Sequence, residues 1–247
     1  MAGSDYEQKR LEFGKFTKFF TIRLMQAVIQ SRLGERLCTA CSLVGDRCDW
    51  FNLRIEEYGE VTREIARATD NTYPPDCAQL TLEFQLQRRL LTRQRYPAAS
   101  SGQRKIIFVV TCDGEKLPLE CWALGFDADA GCDDSVGVRS QVYHQLGTLL
   151  KSAIAASRHT PCYRSYARRQ GADTFVICYR IRRGEPDLEQ LGDGRRSHRL
   201  GCLSSPFGTL ALHLHYRTQM VISGRARSTS RVTWGKADHL YRAKRTV

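Results

Sequence analysis

The 247-residue sequence predicts an α+β domain in which an antiparallel or mixed sheet packs on long helices. Two segments, near the start and the middle of the chain, carry apolar residues at helical spacing. Several shorter segments alternate apolar and polar residues with the period of strands, and the last two are separated by a turn, which predicts a C-terminal hairpin. A hydrophobic content of 42% is enough for a sizeable core.

The first helix is predicted from an aromatic and aliphatic stripe: Phe13, Phe16, Phe20, Leu24, Ala27 and Val28. Gly34 is a natural end for it, and residues 1–9 are expected to be a mobile N-terminus. The aromatic side could face a membrane or pack on a sheet. We favour packing, because a surface helix without capping residues is only marginally stable.

Alternating apolar residues predict strands in seven segments: 50–55, 80–86, 106–111, 119–124, 174–182, 199–203 and 209–216. The Asp113-Gly114 dipeptide predicts a tight turn that pairs strand 106–111 with strand 119–124. Segment 174–182 is rich in β-branched and aromatic residues and is expected to be a central strand. Residues 87–105 are basic and then small and polar, which indicates an inserted loop.

A long buried helix is predicted from Val138 onward, with an apolar stripe that includes Leu146 and Leu150. The Thr160-Pro161 dipeptide stops it, because proline disfavours helical geometry at the preceding residue. The helix therefore ends on exposed basic and aromatic residues, namely Arg158, His159, Tyr163 and Arg164. On these residues alone, a core helix with a solubilising end is the more ordinary interpretation.

The chain carries a formal net charge of +12 and a pI near 9.4. This charge predicts attraction to phosphorylated proteins, acidic lipids or nucleic acids, and does not choose among them. The ten cysteines and the lack of a secretory apolar core in the first residues favour a reducing cytoplasmic location. Apolar runs long enough to cross a bilayer are missing from the sequence.

Catalytic and metal motifs are incomplete. Cys38, Cys41 and Cys48 have thiol spacing that suits zinc, but the second pair of ligands is missing. His213 and His215 share one strand face, which permits metal binding and more often marks a solvated edge. The sequence also lacks an HExxH motif, a nucleophile elbow and a phosphate-binding loop. We therefore expect no enzymatic activity, no metal and no cofactor.

Nine short sequence words occur in one order along the chain: KFTKFF at 15–20, QSRLGERLC at 30–38, DWFNL at 49–53, EVT at 60–62, LLKS at 149–152, TPCYR at 160–164, YRI at 179–181, LGDG at 191–194 and PFGT at 206–209. In this order they resemble the HORMA domain of the autophagy-related protein 13 family, whose members regulate the autophagy-initiating kinase complex. The resemblance runs from about residue 10 to residue 220.

The resemblance implies a HORMA fold, a sheet packed on helices with a C-terminal safety-belt hairpin at 199–216. The domain would span 10–222, interrupted by the basic loop at about 87–105 and followed by a basic mobile tail at 223–247. Family members usually carry a shorter segment than 69–104, so the function of this segment is open. The family's long Ser-rich tail, which binds the kinase and its scaffold, is absent from this chain.

The resemblance further implies a non-catalytic docking protein that pairs with the HORMA protein autophagy-related protein 101. It also implies that the domain recruits autophagy-related protein 9. The chain itself would be recruited to the preautophagosomal structure, where its contact with the membrane would be peripheral only. The expected partner-binding residues are Tyr143, Leu146, Leu150, Ala156 and Arg158. A phosphate-like anion is expected at Arg158, Arg164 and Arg217, although ion pairs with nearby carboxylates explain these arginines equally well.

The alternative function is a basic protein that binds nucleic acid or an acidic membrane. It rests on the net charge alone. We consider specific nucleic-acid binding less well supported, because the basic residues cluster in predicted loops without the interleaved aromatics of a single-strand platform.

Overall fold

The structure is a computed structural model that describes residues 2–33, 40–41, 50–88, 90–96, 105–111, 116–130, 135–170 and 175–218. Only the backbone is described for residues 2–4, 40–41, 88, 90–96 and 105–111. The fold of these residues confirms the predicted α+β class, with helices packed on an antiparallel sheet.

The described residues form three α-helices: α1 (Ala2–Arg32), α2 (Gly59–Thr69) and α3 (Tyr143–Ser157). Shorter helical turns lie at Trp50–Asn52, Val138–Val142, Cys162–Tyr166, Ala167–Arg169 and Glu189–Leu191. Asp70 ends α2 in left-handed geometry, with φ of 47°, and its N–H bonds back to the last turn.

The main sheet has five strands in the order β7, β3, β6, β9, β8, and every neighbouring pair is antiparallel. These strands are β3 (Gln79–Arg88), β6 (Lys116–Asp127), β7 (Phe175–Arg183), β8 (Arg195–Ser205) and β9 (Gly208–Arg217). Two smaller sheets pair β1 (Ala40–Cys41) with β2 (Leu53–Arg54), and β4 (Leu90–Tyr96) with β5 (Lys105–Thr111).

The core lies between the helices and one face of the main sheet. Phe13 and Phe20 of the predicted aromatic stripe are fully buried, which confirms packing as the role of that stripe. Alternate residues of the central strands face the helices and are buried with them: Leu80, Leu82, Phe84, Trp122, Leu124, Leu210, Leu212 and Leu214. We call the opposite face of the sheet the outer face.

The predicted hairpin between 106–111 and 119–124 is wrong, although both segments are strands. β5 pairs with β4, while β6 pairs with β3 on one side and β9 on the other. From Glu120 to Gly125, both edges of β6 are therefore already hydrogen-bonded, one to β3 and one to β9, which leaves no edge there for β5. The predicted turn at Asp113-Gly114 lies outside the described residues.

The inserted loop predicted at 87–105 is also wrong in its first half, where β4 forms a ladder with β5 from Leu90↔Thr111 to Tyr96↔Lys105. The ladder satisfies backbone groups that a loop would leave to water. Segment 174–182 forms a strand as predicted, but β7 lies at an edge of the described sheet and not at its centre.

Two further local differences concern residues 50–69. The predicted strand 50–55 is reduced to the two residues of β2, preceded by a 3-10 turn in which Phe51 and Asn52 have positive φ. Helix α2 was not predicted, because it is short and buries only Val61, Ile65 and Thr69.

Some predictions concern residues that lie partly or wholly outside the described ranges. The N-terminal segment predicted as mobile belongs to α1 from Ala2 onward, while the domain bounds themselves stay predictions. The C-terminal hairpin is confirmed as β8 and β9. Gly34 and the tail 223–247 lie outside the described residues.

Candidate functional site

The long helix ends at the predicted place. α3 stops at Ser157, and Arg158 follows as its C-cap with its N–H directed to the carbonyl oxygens of Ala155 and Ala156. Pro161 has helical dihedral angles and opens the turn Cys162–Tyr166. Proline suits this position because its fixed φ fits a first helical turn and its missing N–H would have no partner there.

We call the exposed basic residues after α3 the basic corner: Arg158, His159, Arg164, Arg168 and Arg169. Segment 143–170 contains no Asp or Glu, so the corner has no acidic residue of its own. Its position at the C-terminal end of a helix adds a favourable interaction with the helix dipole. The result is a concentrated positive surface on an ordered part of the fold.

A buried ion pair supports the corner from inside. The Arg32 Nη2 atom lies 2.5 Å from the Glu120 Oε1 atom, and both side chains are excluded from solvent. Arg32 also donates to the Ser157 carbonyl oxygen at 2.8 Å and to the Thr160 hydroxyl at 3.1 Å. One guanidinium therefore ties the end of α1 to the sheet and to the residues that end α3.

Aromatic contacts extend this support to the surface. The Tyr163 ring has the Arg32 guanidinium 6.0 Å from its centroid and the Arg168 guanidinium 5.6 Å from it. The Arg168 Nη2 atom also donates to the Tyr163 hydroxyl at 3.3 Å. Cation–π contacts of this kind restrict the orientation of both arginines.

Cys162 lies under the corner and is not a reactive group. Burial raises the pKa of the Cys162 thiol well above its usual range, and the Glu120 carboxylate acts in the same direction. A thiol that stays protonated is a weak nucleophile. Cys162 therefore acts as a packing residue in the core.

Two of the predicted partner-binding residues are core residues, which corrects that prediction. Leu146 and Leu150 each have 0% of their surface exposed, so a partner cannot touch them in this fold. Tyr143 and Ala156 are half-buried, while Arg158 is exposed. The exposed face of α3 consists instead of polar and small residues: His144, Gln145, Thr148, Lys151, Ser152 and Ala155.

Sequence reasoning could have found this face. The exposed positions recur every three or four residues, offset from the stripe that contains Leu146 and Leu150. A surface helix turns its apolar stripe to the core and its polar face to solvent.

The three arginines predicted to bind an anion do not share one face. Arg158 and Arg164 belong to the basic corner, whereas Arg217 ends β9. Tyr216 is paired with Glu120, whose carboxylate faces the helices, so the next residue, Arg217, points to the outer face. Its guanidinium donates to the carbonyl oxygens of Pro118 at 3.0 Å and Gln190 at 2.6 Å.

Within the described ranges, no three His, Cys, Asp or Glu side chains are placed to share a metal ion. Cys38 and Cys48 lie outside those ranges, so their zinc alternative is untested. None of the helices in the described part of the chain is both long and apolar enough to cross a membrane.

Residues 17–221 match the family model described as Autophagy-related protein 13. The chain is 38% identical over 210 residues to the "Autophagy-related protein 13 homolog" of Caenorhabditis elegans, covering 84% of this chain and 40% of that protein. It is 35% identical over 213 residues to the "Autophagy-related protein 13" of Homo sapiens, covering 86% and 36% respectively. The chain thus spans about two fifths of the length of these curated relatives.

Among solved structures, the chain resembles one described as "Atg13 HORMA domain", with a TM-score of 0.48, 12% sequence identity, and coverage of 82% of this chain and 93% of that one. It also resembles a chain of "Crystal Structure of Mitotic Checkpoint Complex", with a TM-score of 0.48, 11% identity, and coverage of 83% and 98%.

Proposed function

The chain belongs to the autophagy-related protein 13 family, and from this premise we propose that it is a non-catalytic regulatory and adaptor subunit of the autophagy-initiating serine/threonine kinase complex. Within this proposal the domain is a HORMA module that works by docking. It acts in the cytoplasm and at the preautophagosomal structure. The kinase and its scaffold are assigned to the family's Ser-rich tail, which is a separate binding region.

The observation that carries the proposal is the basic corner with the exposed face of α3 beside it. The corner is exposed and positive, and the buried Arg32–Glu120 pair holds its backbone at Ser157. A rigid surface loses little conformational entropy on binding, which favours docking. We propose that autophagy-related protein 101 binds here, with Tyr143, Ala156 and Arg158 of the predicted set at the contact.

Recruitment of autophagy-related protein 9 is a second part of the proposal. It rests on family membership, and none of the described contacts identifies its binding residues. We therefore propose the recruitment without assigning it to a surface.

An anion-binding role is proposed for Arg158 and Arg164, without Arg217. Both corner arginines are exposed, and a guanidinium can donate two parallel hydrogen bonds to a phosphate. Arg217 is left out because its guanidinium already donates to two backbone carbonyls on the outer side of the sheet.

The test is co-elution of the chain with purified autophagy-related protein 101 in size-exclusion chromatography. We expect a 1:1 complex that is lost in the double variant Arg158→Asp and Arg164→Asp. The matched control is Arg63→Asp with Arg67→Asp, which makes the same charge change on exposed residues of α2. Independent elution of the unmodified chain, or equal loss in the control, would contradict the proposal.

The alternative function is general binding of polyanions. Heparin chromatography of the same proteins distinguishes it from docking at the basic corner. Retention driven by net charge falls steeply with salt and depends equally on both charge pairs. Docking at the corner predicts instead that the two double variants differ in partner binding.

A further inference from the structure

The outer face of the C-terminal hairpin carries a cluster of basic and polar side chains. Leu212 and Leu214 of β9 face the helices, so His213 and His215 point to the outer face. The ladder pairs Ser197 with His215 and Arg199 with His213. The Ser197 hydroxyl lies 2.8 Å from the His215 Nδ1 atom, which confirms that these side chains meet.

The two ends of the outer face differ in their charge balance. At the β7 end, Arg180 and Arg182 both bond to the Glu83 carboxylate, at 2.6 Å and 2.8 Å. At the β8 end, Arg195 and Arg199 form no ion pair with any carboxylate that the structure describes. Among the described residues, the two arginines at the β7 end therefore share one carboxylate, whereas Arg195 and Arg199 at the β8 end have none.

The pKa values of the two histidines are lowered, in part by the same arginines. Burial lowers the pKa of His213, and the nearby Arg199 lowers it further. Burial also lowers the pKa of His215, with further lowering from His213 and Arg195. Both arginines are thus close enough to oppose a second positive charge on this surface.

Among the described strands, the backbone of the same segment is also paired on one side only. β8 is an edge strand of the described sheet and pairs there with β9 only. Its first five residues, 195–199, are all exposed and include three arginines and one histidine, without an acidic residue. Along one side of an edge strand, N–H and C=O groups have no ladder partner, so another extended chain can pair with them.

We propose that residues 195–199 are a docking edge for an extended acidic segment of a partner protein. The segment adds to β8 as a further strand, with carboxylates above Arg195 and Arg199 on the outer face. Arg196 lies on the opposite face of the strand and donates to carboxylates at the alternate positions. The backbone ladder supplies affinity, and the arginines select for acidic side chains.

The charge pattern also decides against two other occupants. A second copy of this chain would place arginines against arginines, and like charges on paired strands are destabilising. A lipid headgroup or a nucleic acid would use the arginines but not the strand edge, because neither forms a backbone ladder.

The test measures fluorescence anisotropy of a labelled nine-residue peptide that alternates Glu with Val or Thr. We expect saturable binding and slower amide exchange in β8. The double variant Arg195→Glu with Arg199→Glu should weaken binding at least tenfold. The control variant Arg63→Glu with Arg67→Glu, on α2 beside the opposite edge of the sheet, should change it less than twofold.

A second peptide of the same sequence, N-methylated at alternate residues, separates strand addition from simple charge attraction. Loss of binding on N-methylation supports the proposal. Equal binding of the methylated peptide, equal weakening in the control variant, or no binding by the unmodified chain would overturn it. Binding to acidic vesicles or heparin that requires Arg195 and Arg199, without peptide binding, would also overturn it. Unfolding curves of both variants must match that of the parent chain for these comparisons.

Discussion

Arg32 and Glu120 form an ion pair in the interior of the domain, with 2.5 Å between Nη2 and Oε1 and side chains 1% and 0% exposed. The pair joins the last turn of α1 to β6. The indole N–H of Trp122 also donates to the same carboxylate oxygen, at 3.1 Å. Because both charges are removed from water, this pair constrains where α1, the sheet and the end of α3 meet.

Removing one partner of this pair should destabilise the domain strongly. We expect Glu120→Gln to lower the free energy of unfolding by about 3–5 kcal/mol, because Arg32 is left as an uncompensated buried charge. Replacing both residues, as Arg32→Met with Glu120→Gln, should restore part of the loss. Urea unfolding followed by circular dichroism measures both. As a control, Glu83→Gln breaks a partly exposed pair and should cost about 1 kcal/mol or less.

Leu146 should affect folding and not docking. We expect Leu146→Ala to lower the free energy of unfolding by about 2–5 kcal/mol, because the residue is fully buried and leaves a cavity. Gln145→Ala, at an exposed neighbouring position, should change it by about 0.5 kcal/mol or less. If Leu146→Ala left stability unchanged and abolished partner binding, the core position of Leu146 would be wrong.

The Tyr143 hydroxyl accepts a hydrogen bond from the strained turn Trp50–Asn52. The Phe51 N–H donates to it at 2.7 Å, and Phe51 has a φ of 62°, which is unfavourable for an aromatic residue. Tyr143→Phe leaves this amide without its acceptor and should cost about 1–3 kcal/mol in unfolding free energy. Thermal and urea unfolding test this, with Tyr6→Phe at a more exposed tyrosine as the reference. Equal effects of the two substitutions would contradict the role of the hydroxyl.

Gly208 is required at the turn of the C-terminal hairpin. Its φ is 132°, and an added Cβ atom would lie 2.3 Å from the carbonyl oxygen of Asp127 and 2.8 Å from the Cα atom of Ala128. We expect Gly208→Ala to lower the unfolding free energy by about 1–3 kcal/mol from backbone strain alone, with the clash in addition. Gly59→Ala is the control, since space around Gly59 is open and the helix favours alanine there. A Gly208→Ala variant as stable as the parent would exclude this turn geometry.

Stability should fall as the pH is lowered through the range in which an unfolded histidine titrates. His215 has a lowered pKa in the folded chain, because burial, His213 and Arg195 all oppose its charged form. The unfolded chain therefore binds more protons below about pH 6.5, and protonation favours unfolding. Other groups near this position are Cys121, Arg199, Arg217 and Ser197; Cys121 stays neutral because burial and Glu83 raise its pKa.

Urea unfolding at pH 7.5 and pH 5.5 measures this dependence. His215→Gln should reduce the loss of stability between the two pH values, whereas His144→Gln, at an exposed position on α3, should not. An unchanged pH dependence in His215→Gln would contradict the assignment.

Local patterns explain what could be predicted from the sequence. Three correct predictions each depend on residues only a few positions apart. They are the stripe from Phe13 to Val28, the end of α3 before Pro161, and the alternation of β8 and β9. The short helix α2 was missed because few apolar residues mark it, and tertiary contacts with β7 supply its stability.

At the candidate site, local patterns predicted some residue positions correctly and others wrongly. Arg158 and Arg164 are exposed beyond the helix end as predicted, because proline geometry is a local effect. Leu146 was assigned to a docking face although its own periodicity placed it in the stripe. Arg217 was grouped with the corner by charge, but strand pairing puts its side chain on the other side of the sheet.

The sequence by itself determined the α+β class, most of the elements, the C-terminal hairpin and the polar end of the long helix, because these follow from backbone geometry and short-range periodicity. Only the tertiary structure decided that β5 pairs with β4, that β7 is an edge strand of the described sheet, and that Arg32 meets Glu120. Arg32 and Glu120 are 88 positions apart in the sequence. Contacts between such distant residues depend on how whole elements pack together, and no local pattern encodes that packing.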